Sequence, residues 1–213
     1  ALVGMVHCNN CTSEINAWAN LFAQFGELFG MKIKPDELFT KLYSVALSGD
    51  PDCGGMLSYN YFSGEPVTGF ESGAPLFVRS AESKFTLANT MRMHLYSALA
   101  ALKVGMDLLL KEEHVTVDKL YGHGGFFKTK EAGQRIAAAA MNAPVSVMET
   151  AGEGGAWGIA LLAAYLTEKE NGSLGEFLNK RIFAGKEGSE RKPDEKDVEG
   201  FEQFMKRYRR GFE

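Results

Sequence analysis

Cysteine is scarce: Cys8, Cys11 and Cys53 are three in 213 residues. That is an odd number and too few for a disulfide scaffold, so a reducing compartment is the natural reading. Basic charge is scarce as well. Lys and Arg number 23 against 27 Asp and Glu, a net charge of −4. Apart from the tail Lys206-Arg207-Tyr208-Arg209-Arg210 there is no basic stripe, so nothing calls for a nucleic-acid partner. No uninterrupted apolar run approaches the roughly 20 residues of a membrane span, so no membrane partner is expected. The opening ALVGMVHC has no basic n-region and no cleavage site. It also lacks an initiator Met and reads as mid-strand, which leads us to expect a piece of a longer, cytoplasmic protein.

Two familiar nucleotide fingerprints are missing too. The chain contains neither GxGxxG nor GxxxxGK[ST], so neither a Rossmann turn nor a P-loop is claimed. Cys8-Asn9-Asn10-Cys11 is formally CxxC, with His7 beside it. Zinc would want a second ligand pair at similar spacing, and a redox CxxC a thioredoxin-like context. With neither present, free thiols packed at a strand end are the plainer reading.

What the sequence has is glycine, spent at turns. From Gly122 to Tyr165 it reads strand, glycine turn, helix, short strand, second glycine turn, helix. Val115 to Tyr121 leads in as an apolar run, broken at Gly122, Gly124 and Gly125. Gln134 to Met141 is alanine-dense and helical. Pro144-Val145-Ser146-Val147-Met148-Glu149-Thr150 suits a strand. AGEGG, with Gly152, Gly154 and Gly155, then turns into a helix apolar on nearly every side, which predicts burial. Glycines let a backbone approach a ligand, and helix N-termini present free N–H groups to anions.

The rest of the chain alternates helices with turns. Ala1 to Cys8 predicts a buried central strand. Thr12 or Ser13 caps a helix carrying Ile15, Trp18, Ala19, Leu21, Phe22, Phe25 and Leu28 at amphipathic spacing. A second amphipathic helix spans Met31 to Leu47, with Pro35 in its first turn. Phe85 to Lys111 predicts one helix about 40 Å long. Residues 185–197, GKEGSERKPDEKD, predict a loop. Val198, Phe201, Phe204, Met205 and Tyr208 then share the face of a closing helix.

The order of these pieces resembles the C-terminal half of FGGY-family carbohydrate kinases, members of the actin-like ATPase superfamily. The likeness runs through Gly122-His123-Gly124-Gly125, Lys128, Asn142-Ala143-Pro144-Val145 and Gly152 to Ala164. Tyr59, Phe62, Ser63, Gly64 and Glu65 resemble the family segment that lies near the sugar cleft. There the family's Arg is Pro66 and its Thr-Pro is Val67-Thr68. Thr90, Arg92, His94, Leu95, Tyr96 and Ala98 fit its long helix, whose Glu-Gly falls here on Ala101-Leu102.

The resemblance implies an α/β fold of the ribonuclease H-like, actin-like ATPase type: the C-terminal lobe of a two-lobe sugar kinase, a mixed sheet with helices on both faces. Residues 1–168 would form that lobe, with the adenosine half at 115–166, and 169–213 a charged linker and a closing helix on the same lobe. It implies ATP and Mg²⁺, a sugar substrate with a ketopentose such as xylulose as first candidate, and an N-terminal lobe as intramolecular partner, with a homodimer left open. The catalytic Asp would lie in that other lobe, so this chain alone would be inactive.

Carried over residue by residue, Gly122, Gly124 and Gly125 would line the ribose and α-phosphate side. His123 would abut the ribose or alter the turn, and Phe126 or Phe127 would pack near the base. Lys128 would approach a phosphate or stay solvated. Gly152, Gly154 and Gly155 would approach the nucleotide or permit close helix–sheet packing. Trp18, Arg92 and His94 would sit near the cleft or in the core, and Glu65 would fix its loop or meet sugar. Two rivals stay open: a non-catalytic module of the same fold, and a non-sugar ATPase of the superfamily.

Overall fold

The computed structural model describes residues 3–129, 131–148, 154–167, 172–184 and 188–212. In chain order these form α1 (Ser13–Leu28), α2 (Pro35–Ala46), β1 (Leu57–Tyr59), β2 (Leu76–Val78), α3 (Leu87–Asp107) and β3 (Leu120–Gly122). There follow α4 (Ala132–Met141), β4 (Val145–Val147), α5 (Gly154–Leu166), α6 (Leu174–Phe177), β5 (Ser189–Arg191) and α7 (Glu195–Arg210). Pro35 opens α2 where a missing N–H costs nothing. Thr86 caps α3 by accepting from the Asn89 amide. Asp194 caps α7 through the amides of Lys196 and Asp197.

The core is built around α3. Met91, Met93, Leu95, Tyr96, Leu99 and Ala100 are buried against α2, α4 and α7, which supplies Phe201, Phe204, Met205 and Tyr208. With its π-helical continuation Leu108–Glu112, α3 is long and apolar enough to cross a membrane by length and composition. Most of its apolar window is buried inside this protein instead.

A buried ion network ties the helices together. The Arg92 guanidinium donates through Nη1 to Asp197 at 2.9 Å and through Nε to the Ala46 carbonyl at 3.0 Å. Arg135 on α4 donates to the other Asp197 oxygen at 2.5 Å. Arg92 thus holds the core rather than a cleft. His94, also buried, lies with its ring centroid 5.0 Å from that of Trp18. Burial pushes its pKa down to about 3, and neither ring nitrogen has a hydrogen-bond partner among the described residues.

The expected mixed sheet is present and small: β4 lies between β3, which it pairs parallel, and β5, antiparallel. A second, two-stranded sheet pairs β1 with β2. Four local expectations are corrected. Residues 3–8 form no strand, and Val3 and Met5 are almost fully exposed, because no strand among the described residues pairs with them. The apolar run 115–121 becomes strand only at Leu120. The supposed loop 185–197 contains β5, a polar edge strand held by side chains. Gln134 donates to the Ser189 carbonyl at 2.7 Å, and Lys119 pairs with Glu190 at 2.5 Å. Finally, α5 is not buried: Ile159 is 68% and Leu166 67% exposed. Its aromatic partners are few, Phe183 on Trp157 and Phe177 on Tyr165, so most of its apolar perimeter meets no other element described here. The short helix α6, continued by a π turn at Leu178–Ile182, went unread because a four-residue helix has no periodicity to detect.

Candidate functional site: a cavity beside the first glycine turn

The β3–α4 turn brings three glycines together, each for a different physical reason. Gly122 is buried, and a Cβ there would lie 2.6 Å from the Phe127 ring, so its bareness serves packing. Gly124 has φ +96°, a conformation that side chains resist. Gly125 has neither constraint: a Cβ would meet no atom within 4 Å. Gly125 is also one of the residues that line a cavity of about 620 Å³.

Three elements wall the cavity. The N-cap and first turn of α1 contribute Thr12 and Asn16; α2 contributes Asp36, Phe39, Thr40 and Tyr43; the turn contributes Gly125, Lys128 and Thr129. Hydroxyl, amide, carboxylate and ammonium groups therefore converge around a bare stretch of backbone. Burial pushes the Tyr43 phenol up in pKa, so it stays a neutral donor. Phe126 does not face this space. Its ring is buried, edge-on to Tyr43 at 6.0 Å and to Phe127 at 5.3 Å, which removes it as a partner for a base. Phe127 is half-buried under Gly122, and His123 is exposed. Gly154 and Gly155 begin α5, where a Cβ at Gly155 meets nothing within 4 Å, and Gly152 lies outside the described residues.

Thr12, Asn16, Asp36, Thr40 and Thr129 were not singled out in the sequence. Thr12 was read only as a helix cap, and in the structure its side chain makes no capping bond.

The α1 start is held by a carboxylate. Glu65 is buried and accepts from the Asn9 amide at 3.0 Å, the Asn10 amide at 3.1 Å and Asn10 Nδ2 at 3.2 Å. In return Asn10 Oδ1 accepts from the amides of Phe62 and Ser63 at 2.9 and 3.1 Å. Asn60 adds a bond to the Cys11 carbonyl at 2.8 Å. Glu65 therefore fixes its loop, and through residues 9–12 it fixes one wall of the cavity. Partial burial, then the Glu65 charge, push the Cys8 thiol up to about 11, so it stays protonated and unreactive at neutral pH. Replacing Glu65 by Gln puts an amide donor where donors already point. We expect a loss of about 1.5–3 kcal/mol in the full-length protein, read by unfolding midpoint and by faster hydrogen exchange at the Asn9 and Asn10 amides.

Among the described residues no three His, Cys, Asp or Glu side chains converge as a metal site. Over residues 1–167 the sequence matches the FGGY family of carbohydrate kinases, C-terminal domain. Solved structures of similar shape include a xylulose kinase from Rhodospirillum rubrum, with TM-score 0.71, 16% identity, and coverage of 96% of this chain and 38% of that one. Ligand-bound xylulose kinase from Lactobacillus acidophilus gives 0.65, 19%, 95% and 38%. Plasmodium falciparum glycerol kinase with ADP gives 0.59, 17%, 90% and 37%. A comparison with curated proteins returned no match. The chain thus spans well under half the length of these structures, and at such identities they show the fold alone: the C-terminal lobe of the actin-like, ribonuclease H-like sugar kinases. The sequence match goes further, and the chain belongs to the FGGY family of carbohydrate kinases as its C-terminal domain.

Proposed function

We propose that this chain is the nucleotide-binding lobe of an ATP-dependent carbohydrate kinase, which moves the γ-phosphate of ATP to a sugar hydroxyl. The observation that carries the reading is Gly125, a glycine with no backbone or packing need for bareness, set in the wall of a polar 620 Å³ cavity. A missing Cβ leaves room for the ribose and α-phosphate side of a nucleotide. Thr12, Asn16 and Thr129 offer hydrogen bonds to base and ribose, and Lys128 offers charge toward the phosphates. Mg²⁺ would ride on the phosphates, as this ion usually does, rather than in a cage of protein ligands.

Phosphoryl transfer is mostly positioning plus charge stabilisation, so the second half of the site must come from across a cleft. In this reading the base that takes the sugar proton lies on the N-terminal lobe. The exposed apolar surfaces of residues 3–8 and α5 are where that longer chain would pack. We assign 1–168 to the lobe proper, with 169–213 completing it through β5 and α7. Xylulose or another ketopentose is the first candidate substrate, in keeping with the xylulose kinases among the similar structures. Gluconate and glycerol kinases share the shape, so substrate choice rests with the other lobe.

The test is ADP release by the full-length protein from ATP–Mg²⁺ over a panel of pentuloses, pentoses, hexoses and polyols, with this chain alone as control. Release that depends on one sugar, with the isolated chain silent, is the expected result. Release without sugar dependence would mean another ATPase of the superfamily. No release and no ATP binding would mean a non-catalytic module.

A further inference from the structure

On α2, Asp36, Phe39, Thr40 and Tyr43 line the cavity beside the glycine turn. At 100° per residue they share a stripe about 100° wide, which runs about 10 Å along the helix. It begins exposed at Asp36, passes the half-buried Phe39 and ends at Tyr43, which is 4% exposed.

The two ends of the stripe differ in charge. At the inner end Tyr43 meets the Phe126 ring edge-on at 6.0 Å, and Phe126 follows Gly125 in the glycine turn. Lys128 belongs to that turn as well, its amide donating to the Gly125 carbonyl at 3.1 Å. At the outer end stands a carboxylate. Thr40 Oγ1 donates at 2.7 Å to the backbone carbonyl of Asp36, and the Asp36 carboxylate itself has no hydrogen-bond or ion-pair partner among the described residues. Between the ends, Phe39 packs against the core and lines the cavity. Its ring pairs with no other aromatic ring among the described residues.

We infer that this stripe reads the base of the nucleotide: Phe39 is the platform for the base, and Asp36 accepts from its 6-amino group, so that the protein selects 6-aminopurines over 6-oxopurines. The inference rests on the cavity being the nucleotide site. Given that site, charge sets the direction of the ligand. A triphosphate is a polyanion, repelled by Asp36 and drawn to Lys128. The phosphates therefore lie at the glycine turn, and the base, attached on the far side of the ribose, lies toward Asp36. Phe126 is engaged with Tyr43, so the ring that meets the base is Phe39. An aromatic platform takes every base alike, which leaves the choice among bases to Asp36. A carboxylate only accepts. It pairs with the amino group of adenine and opposes the oxo group of hypoxanthine or guanine, which accepts as well.

The test is calorimetric titration of the full-length protein with ATP, inosine triphosphate and 2′-deoxy-ATP, for wild type, Asp36→Asn, Phe39→Leu and Gly125→Val. Circular dichroism and thermal unfolding establish that each variant is folded; Asp36 is exposed, and Leu keeps an apolar side chain against the core at position 39. Wild type should bind ATP about tenfold or more tighter than inosine triphosphate, the worth of one hydrogen bond to a charged group. Asp36→Asn, whose amide donates as well as accepts, should remove most of that preference by losing affinity for ATP and gaining it for inosine triphosphate. Phe39→Leu should weaken both ligands about fivefold, the low end of base–aromatic stacking. A wild type that binds ATP and inosine triphosphate equally, or an Asp36→Asn protein with the wild-type preference, would overturn the base readout. So would a loss in Asp36→Asn that spares 2′-deoxy-ATP, which would place Asp36 on the ribose. The Gly125→Val titration separates the two readings. Wild-type ATP affinity there rejects the nucleotide cavity itself, whereas lost affinity beside a wild type blind to the 6-substituent rejects the base readout alone.

Discussion

Replacing Asp197 by Ala should lower the stability of the full-length protein by about 3–5 kcal/mol, the usual cost of removing one member of a buried ion pair. Arg92 is 1% exposed, and its Nη1 has Asp197 for partner at 2.9 Å. Without the carboxylate, a guanidinium that cannot shed its proton is left in the core. The same loss releases Arg135, and with it the tie from α7 to α4. The double replacement Arg92→Met with Asp197→Leu removes both charges and should cost far less than either single change. Urea unfolding followed by circular dichroism reads both. A single variant as stable as wild type would show that α7 is held by its aromatic face alone.

The pair also predicts a pH dependence. Burial by itself raises the Asp197 pKa, but the bonds and charges of Arg135 and Arg92 outweigh it and hold the carboxyl below its ordinary value of 3.8. A carboxyl depressed in the folded state stabilises fully above the unfolded pKa and loses that contribution as pH falls through the folded one. The gap between wild type and Asp197→Ala should therefore be constant above about pH 5 and close below pH 4. Asp107 is depressed in the same sense: Lys111, Lys103 and Arg209 override the upward push of burial, so it adds to the acid lability.

The helices of this fold were legible because their signals are local. Pro35 and the three- and four-residue steps of α3 each act within a turn or two, whereas the Asp194 cap and first turn of α7 lie in what the sequence suggested was loop. The face Phe201, Phe204, Met205 and Tyr208 is buried as its spacing requires. What could not be read depends on partners far off in sequence. β5 is a strand because β4 has a free edge and Gln134 reaches Ser189, not because Ser-Glu-Arg favours extension. Residues 3–8 have the composition of a strand and no strand to pair with among the described residues. The exposed α5 shows the converse: composition reports what a helix needs to bury, while the surroundings decide whether it can. At the site, the glycines stood out in the sequence. The polar wall did not, because Thr12, Asn16 and Thr129 meet only after the Glu65–Asn10 bonds bring loop 60–65 onto residues 9–12.

Gly125→Val should abolish turnover in the full-length enzyme and weaken ATP binding by about 100-fold or more, roughly 2.7 kcal/mol, while leaving the fold intact. The two halves of that expectation come from two facts: a Cβ at Gly125 would meet no protein atom within 4 Å, and the residue lines the cavity. The space it would take is needed only when a ligand is present. Gly122→Val supplies the contrast, since its Cβ would lie 2.6 Å from the Phe127 ring. That variant should lose stability first, with activity falling as folded protein is lost. Gly125→Ala should lie between wild type and Val in ATP affinity, with unchanged melting. Calorimetric ATP titration and thermal unfolding, run on all three variants, separate ligand room from packing room. A Gly125→Val enzyme with wild-type turnover and affinity would remove the nucleotide from this cavity, because Gly125 lines it and the fold itself makes no contact where the new side chain would begin.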